Sequence, residues 1–257
     1  MIYNFISTLG RKAINFFRQT GEVFIMLGKV LRYSGQVWKN RHLVAEQMME
    51  IGVRSIPLVV FVGIFAGAVA SVQTAYQLKG YISFNYLGAA TSVAVFIELG
   101  PVLTALVAAG RVGASIAAEL GTMRVTEQID ALEALAIDPL RYLAMPRILS
   151  GFIMLPILTI IADLVGILGA YGVAYLNLNL PPETFFGSVK EFFTIMNVMS
   201  GLIKAFFFGG TTAIVGCYVG FSTTGGAEGV GQATIRSFVL SSALILLNDY
   251  LLSVILF

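Results

Sequence analysis

Four charged residues interrupt apolar stretches of the chain, and they are the first candidates for chemistry. Glu98, Asp163, Lys204 and Asp249 each lie inside an apolar run long enough to cross a bilayer. A charged side chain at the bilayer centre costs about 2.5 to 3.5 kcal/mol on insertion scales, so such groups normally face protein or water instead of lipid. We therefore expect these side chains to pair with one another inside the protein or to contact a polar substrate.

Glu98 is the residue that we expect to contact a substrate. Thr91, Ala94 and Pro101 share its helical face, because they lie seven, four and three residues away. Pro101 removes a backbone hydrogen bond one turn after the carboxylate, which predicts a helix that opens beside a cavity. The alternative is a carboxyl group that is kept neutral or hydrogen-bonded within the helix bundle.

Asp163, Lys204 and Asp249 are predicted to form an intramembrane charge network. Gly166 shares a helical face with Asp163, and Ser253 shares one with Asp249, so both acids lie on weakly polar stripes. A lysine and two aspartates can neutralise one another inside a bundle. The spacing leaves open which of them pair.

The elements that must position these residues are transmembrane helices. The chain has 257 residues, 57% apolar and 12% charged, whereas an ordinary soluble domain is about 25% charged. We predict an all-α integral membrane protein, a single domain over residues 1–257 with about five transmembrane helices in its 51–257 part. The five apolar stretches are Ser55 to Leu78, Tyr86 to Gly110, Ile148 to Leu176, Val198 to Val219 and Ser237 to Phe257.

The first 50 residues are predicted to form an interfacial amphipathic helix region. Basic residues are spread throughout it and no short apolar core precedes a cleavage site, which argues against a signal peptide. They interleave with apolar residues, as in a helix that lies among lipid headgroups. The apolar residues are Phe5, Ile6, Leu9, Ile14, Phe16, Phe17, Phe24, Ile25 and Leu27, and the basic ones are Arg11, Lys12, Arg18 and Lys29.

The distribution of basic residues predicts the orientation in the membrane. Of the 16 Lys and Arg residues, 13 lie in residues 1–54, in residues 111–147 or at Arg236. Only Lys79 and Lys190 lie in the opposite connections. The positive-inside rule then places the amino terminus in the cytoplasm. Because five spans is an odd number, the carboxyl terminus is expected at the outer face.

Residues 122–147 are predicted to contain a short cytoplasmic helix. Thr126 is expected to cap its start, and the Asp138-Pro139 step is expected to end it. A rigid helix that is half acidic and half apolar can dock into a groove on a cytoplasmic partner, whereas the alternative is a helix packed flat against the membrane. The acidic face has Glu127, Asp130 and Glu133, and the apolar face has Ile129, Leu132 and Leu135.

No motif indicates that this chain is an enzyme, and we expect no catalytic residue on it. The segment Gly21 to Val30 lacks P-loop spacing, and Gly225 to Gly231 follows no strand, so neither fits a nucleotide-binding fold. The only histidine, His42, lies far in sequence from any intramembrane serine, and the single Cys217 excludes a cysteine-rich metal site. A net charge of +2 gives no reason to expect nucleic acid as a partner. ATP would therefore have to be handled by another chain.

The run from Glu98 to Arg147 closely resembles the signature of the MlaE-type permeases, the membrane subunits of lipid-transporting ABC systems. It reads ELGPVLTALVAAGRVGASIAAELGTMRVTEQIDALEALAIDPLRYLAMPR. The resemblance extends over nearly the whole chain, because further blocks occur in the family's order. These blocks are IGVRSIPLV, ADLVGILGAY, GLIKAFFFG, GGAEGVGQAT and NDYLL.

This resemblance implies a homodimeric permease in the bacterial inner membrane that carries a phospholipid or a similar lipid. Its implied partners are a cytoplasmic ABC ATPase, which holds the ATP and magnesium, and an MCE-domain protein on the outer side. The helix from Glu127 to Leu135 corresponds to the family's coupling helix, which docks on the ATPase. Glu98 falls at the family's lipid cavity, where Gln73 and Tyr76 are either further cavity residues or interfacial anchors.

Two positions differ from the family pattern, and two other functions stay open. Ile97 stands where the family commonly has an arginine, so Glu98 is expected to lack an adjacent cation, and Gln232 replaces a usual basic residue. An ion-coupled secondary carrier would use Glu98, Asp163 and Asp249 as a proton relay. A structural membrane scaffold is the other alternative.

Overall fold

The chain folds into consecutive helices, in a computed structural model that describes residues 2–35 and 40–257. The side chains of residues 2–10, 12, 13, 15, 16 and 34 lie outside the description, and with them the predictions on Phe5, Ile6, Leu9, Lys12 and Phe16. No strand occurs in the described ranges. The α-helices are α1 (Ile2–Ser34), α2 (Arg41–Ile51), α3 (Ile56–Leu78), α4 (Leu87–Ala94), α5 (Gly100–Ala108), α6 (Ala114–Val125), α7 (Gln128–Ala134), α8 (Met145–Leu178), α9 (Pro182–Glu191), α10 (Ile195–Phe221) and α11 (Gly226–Leu256).

Five helical stretches in the described part of the chain are long and apolar enough to cross a membrane. This confirms the prediction of an all-α membrane protein with five spans. The helical stretch that contains the first span begins at Arg41, before the predicted Ser55, because α2, a 3₁₀ turn at Val53–Ser55 and α3 follow one another without a loop. The stretches are span 1 (Arg41–Leu78), span 2 (Phe84–Val125), span 3 (Leu140–Leu178), span 4 (Ile195–Phe221) and span 5 (Gly226–Leu256).

Spans 1 and 3 pack closely along α3 and α8, and glycines allow their backbones to touch. A Cβ atom on Gly67 would lie 1.8 Å from the carbonyl oxygen of Gly166, and one on Gly63 would lie 3.0 Å from that of Ala162. Small residues let transmembrane backbones approach in this way. Because the residue numbers on the two helices rise together, α3 and α8 run parallel, as two alternate spans must.

Span 2 contains two π-helical segments that separate α4, α5 and α6. The first is Val95–Leu99, which includes Glu98 and after which the N–H of Gly100 donates to the carbonyl of Val95. Pro101 follows at the start of α5 and has no N–H to give to the preceding turn. The predicted opening of the helix near Glu98 is therefore present, in the form of a widened turn.

The long helix α1 packs against the end of the bundle that carries α7. Met26 and Val30 are buried in the main hydrophobic core, to which Ile129 of α7 also belongs. The hydroxyl of Tyr218 donates to Oε2 of Glu22 at 3.1 Å, which ties α1 to span 4. The apolar side chains of α1 that remain exposed are Ile14, Phe17, Phe24, Ile25 and Leu31.

Candidate functional site

Lys204 lies at the centre of the candidate site, and its side chain is fully buried. Its Nζ is 2.6 Å from Oε1 of Glu98 and 2.9 Å from Oδ1 of Asp249. The contact with Glu98 is a hydrogen bond, whereas Oδ1 of Asp249 lies at ion-pair distance without hydrogen-bond alignment. One buried cation thus joins spans 2, 4 and 5, and Lys204 lies at ion-pair distance from Asp249, a pairing that the sequence left open.

Glu98 is the member of this cluster that reaches open space. Its side chain is 44% exposed, against 21% for Asp249 and 0% for Lys204. The hydroxyl of Ser253 on span 5 also donates to Oε1 of Glu98, at 3.3 Å. The expectation that Glu98 lacks an adjacent cation holds only along the sequence, because Lys204 reaches its carboxylate from span 4.

The backbone around Glu98 departs from regular α-helix. Glu98 belongs to the π segment Val95–Leu99, and π segments in helices are frequent at functional sites because they leave backbone groups less tightly bonded. The ring of Pro101 lies against Gly201 of α10, where a Cβ atom would come within 3.0 Å of it. Pro101 is therefore a buried support of the π segment, whereas the side chain of Glu98 points to α10 and α11 and stays half-exposed.

Asp163 lies apart from the Lys204 cluster, which corrects the predicted charge network. It is 4% exposed, and its Oδ1 has no hydrogen-bond partner among the described residues. The carboxyl group contacts Gly100, where a Cβ atom would lie 1.7 Å from Oδ1. The physical reason is that α8 packs on one side of span 2, whereas Glu98 points to α10 and α11.

Gln73 and Tyr76 lie on exposed parts of α3 near its end. The side chain of Tyr76 is 78% exposed. Within the single chain, neither residue is brought into the Lys204 cluster. Their roles as cavity residues or interfacial anchors stay predictions.

The predicted coupling helix is present as α7, but its ends are formed differently. Thr126 ends α6 and its hydroxyl donates to the carbonyl of Thr122 at 2.8 Å, so it does not cap α7. Asp138 does not end α7, which stops at Ala134. Instead its Oδ1 accepts from the N–H of Leu140 at 2.9 Å and caps the start of span 3.

The two faces of α7 differ in burial. Ile129 is 3% exposed and Leu132 packs partly against the core, so these two residues seat α7 on the bundle. Leu135 is 71% exposed and does not belong to that buried face. Asp130 pairs with Arg124 at 2.6 Å. Glu127 and Glu133 are exposed, so an apolar side chain and two carboxylates are available to a partner.

Both ends of α7 contain a residue in the left-handed region. Glu127 has a φ of 61° and Ala136 has a φ of 58°. For L residues this conformation costs about 1 to 2 kcal/mol each. The helix is therefore a short rigid unit between two strained joints, one to span 2 and one to span 3.

Two further arginines, at positions 111 and 147, tie the spans together. Arg147 is almost fully buried, and its Nη2 is 2.7 Å from Oε1 of Glu119, which joins span 3 to span 2. Arg111 lies in the π segment Ala109–Gly113 and donates to Oγ of Ser55 at 2.5 Å, which joins span 2 to span 1. The positive-inside count placed both arginines in a loop. The small and apolar residues beside them in the sequence indicated burial instead.

Comparisons with known proteins agree with this architecture. The family model described as permease MlaE matches residues 44–255. A probable ABC transporter permease protein of Rickettsia conorii is 38% identical, over 100% of this chain and 99% of its own length. The intermembrane phospholipid transport system permease protein MlaE of Haemophilus influenzae is 35% identical, also over 100% and 99%. A probable ABC transporter permease protein of Synechocystis is 39% identical over 94% of this chain and 92% of its own length. A match of this extent shows that the chain belongs to the MlaE permease family.

Proposed function

We propose that this chain is the membrane subunit of an ABC transporter that moves phospholipid or a related lipid between the inner membrane and an MCE-protein conduit. The observation that carries the proposal is the Lys204 cluster, in which a half-exposed Glu98 lies on a π segment of span 2. The Haemophilus relative is named as a permease of intermembrane phospholipid transport, which supports the choice of substrate. The names of the other relatives support the ABC transporter class.

The proposed assembly contains two copies of this chain, a cytoplasmic ABC ATPase and an MCE-domain protein on the outer side. ATP and magnesium are bound by the ATPase, and this chain makes no covalent chemistry. The chain lies in the bacterial inner membrane with its amino terminus in the cytoplasm. Glu133 of α7 and the flanking residues Glu127 and Leu135 are exposed, which supports contact with the ATPase because they offer charged and apolar groups on one short segment.

In the proposed mechanism, α7 transmits the nucleotide state of the ATPase to the lipid site. The helix lies between spans 2 and 3, and the pair of Arg147 and Glu119 links the same two spans. A displacement of α7 therefore moves both spans, and span 2 carries Glu98. The lipid site is alternately exposed as the ATPase biases one conformation over the other.

Within this mechanism, Lys204 keeps Asp249 as a partner when Glu98 leaves it for a lipid headgroup. A fully buried cation without a partner is energetically unfavourable, so Asp249 keeps Lys204 paired while Glu98 contacts the headgroup. Glu98 is the carboxylate that leaves, because it is the more exposed of the two.

The experiment that tests this function is lipid transfer by the reconstituted transporter, with fluorescent phospholipid in the vesicle and ATP supplied to the ATPase. We expect Glu98→Gln to lower ATP-dependent transfer by about tenfold or more, because a charge-assisted hydrogen bond contributes about 1.5 to 3 kcal/mol. The matched control is Glu183→Gln, which neutralises an exposed carboxylate on α9. Equal transfer by Glu98→Gln and the wild-type chain would remove Glu98 from the lipid site.

A proton-coupled carrier is the second candidate, and Asp163 is the observation that favours it. A buried carboxyl group without a hydrogen-bond partner on Oδ1 is a plausible proton carrier. The same vesicles distinguish the two functions. The carrier predicts transfer by this chain alone under a proton gradient without ATP, and Asp163→Asn would abolish it, whereas the permease predicts no transfer without the ATPase.

A further inference from the structure

Tyr33 and Asp138 form a hydrogen bond that joins α1 to the segment between α7 and span 3. The hydroxyl of Tyr33 donates to Oδ2 of Asp138 at 2.5 Å, across 105 residues of sequence. The other carboxylate oxygen of Asp138 accepts from the N–H of Leu140 at 2.9 Å. Asp138 thus holds the start of span 3 with one oxygen and α1 with the other.

The hydrogen bond between Tyr33 and Asp138 is expected to persist at neutral pH. Its hydrogen bond to Asp138 raises the pKa of Tyr33 above its ordinary value, so the hydroxyl remains a donor. A hydrogen bond to an ionised carboxylate is stronger than one between neutral groups. Met26 and Val30, two turns and one turn before Tyr33, are buried in the same core as Ile129 of α7.

Asp138 lies next to the joint between α7 and span 3, so its contact with Tyr33 affects how these two elements are connected. Only Ala136 and Ile137 separate Asp138 from Leu135, and Ala136 is one of the two strained joints of α7. The other faces of α1 carry exposed apolar residues, such as Phe17 and Phe24, which suit a helix that is held in the membrane interface. Because Asp138 bonds both α1 and the first turn of span 3, the joint at Ala136 is braced on the side of span 3.

We propose that Tyr33 is a positioning residue that latches α1 to Asp138, and that this latch makes the displacement of α7 act on span 3 instead of being lost in the joint at Ala136. The inference rests on the proposed function, because it assigns α7 the role of transmitting ATPase motion. It adds a role for α1 beyond membrane anchoring. Tyr33 touches neither lipid nor nucleotide and acts only through Asp138.

The test is Tyr33→Phe, which removes the hydroxyl and keeps the ring, in the complete transporter purified with its ATPase. The readout is the amount of lipid transferred per ATP hydrolysed. We expect this ratio to fall by roughly fivefold, the low end of ordinary coupling factors, while complex assembly and ATP hydrolysis persist. A merely structural role would lower assembly and both rates together and leave the ratio unchanged.

The matched control is Tyr142→Phe. Tyr142 lines the same surface groove as Tyr33 and Asp138, and no hydrogen bond from its hydroxyl occurs in the part of the chain that the structure describes. An unchanged ratio in Tyr33→Phe, or an equal loss in Tyr142→Phe, would overturn the latch.

Hydrogen exchange separates failure of the latch from failure of the proposed function. In Tyr33→Phe we expect faster exchange of the amides in residues 135–140 than in the wild-type chain, whether or not the complex moves lipid. Faster exchange together with a wild-type complex that transfers no lipid would support the latch and overturn the transport function. Unchanged exchange would overturn the latch itself.

Discussion

Lys204 is a fully buried cation whose position depends on two carboxylates of different exposure. Glu98 and Asp249 approach it from different spans, and both remain partly accessible. Because this chain encloses the two carboxylates only in part, the cluster is not a fully buried ion pair. The cation itself has no such access, so the cluster depends on Lys204 never losing both partners at once.

We expect Lys204→Met to destabilise the protein by less than about 3 kcal/mol. Removing one partner from a fully buried pair typically costs about 3 to 5 kcal/mol, and the exposure of Glu98 and Asp249 lowers that figure. The measurement is the midpoint of thermal unfolding in detergent. Combining Lys204→Met with Glu98→Gln and Asp249→Asn should restore much of the loss, because no unpaired charge remains.

The control for this prediction is Lys190→Met, which removes an exposed lysine from α9. A loss no larger in Lys204→Met than in Lys190→Met would show that the cation does not stabilise the bundle.

Sequence reasoning predicted which charges lie in the membrane but not their partners. Spacing along one helix shows which residues share a face, and Glu98 and Lys204 lie on different helices. The selection of Glu98 depended on its position beside Pro101, which the structure explains by the π segment. Asp163 was predicted to join the same network because the balance of charges does not show which side of span 2 each acidic residue approaches.

At the scale of helices, backbone contact at glycine decides how the spans pack. Gly67 of α3 and Gly166 of α8 touch. Gly209 of α10 approaches Gly151 of α8 in the same way, because a Cβ atom on Gly209 would lie 2.1 Å from the carbonyl oxygen of Gly151. No side chain fits at these crossings. Contacts of this kind hold span 3 between spans 1 and 4.

We expect Gly67→Ala to destabilise the bundle by about 1 to 3 kcal/mol, the usual cost of overpacking. Its methyl group would meet the backbone of Gly166, so α3 and α8 must separate. Thermal unfolding in detergent measures the effect. Gly172→Ala on α8 is the control, because a Cβ atom there meets nothing within 4 Å and the gain in helix propensity is the same.

An unfolding midpoint for Gly67→Ala that matches or exceeds that of Gly172→Ala would contradict the close crossing of α3 and α8.

The helices themselves were predictable, because long uncharged runs have one common solution in a membrane. Their beginnings were not, since α2 is too polar to be identified as part of a span. The π segments also leave no mark in hydrophobic periodicity, and only Pro101 pointed to the first of them.

At the scale of the whole molecule, each of the five spans in the described part of the chain crosses the membrane once, so successive connections alternate between the two sides. The connection that contains Tyr81 and the one that contains Leu135 must therefore lie on opposite faces. Arg124 and Arg141 lie on either side of α7, which favours the cytoplasmic side for that face. The proposed docking of an ATPase on α7 requires the same orientation.

We expect a membrane-impermeant maleimide added to intact spheroplasts to label the Tyr81→Cys variant and not the Leu135→Cys variant. Both positions are well exposed, at 89% and 71%, so access to the reagent depends on the membrane and not on the fold. The wild-type chain is the blank, since its only cysteine, Cys217, is buried. Leu135→Cys should become reactive when the membrane is permeabilised, which shows that the thiol is present. Labelling of Leu135→Cys in intact spheroplasts, with Tyr81→Cys protected, would place α7 outside the cell, where no ATPase could drive it.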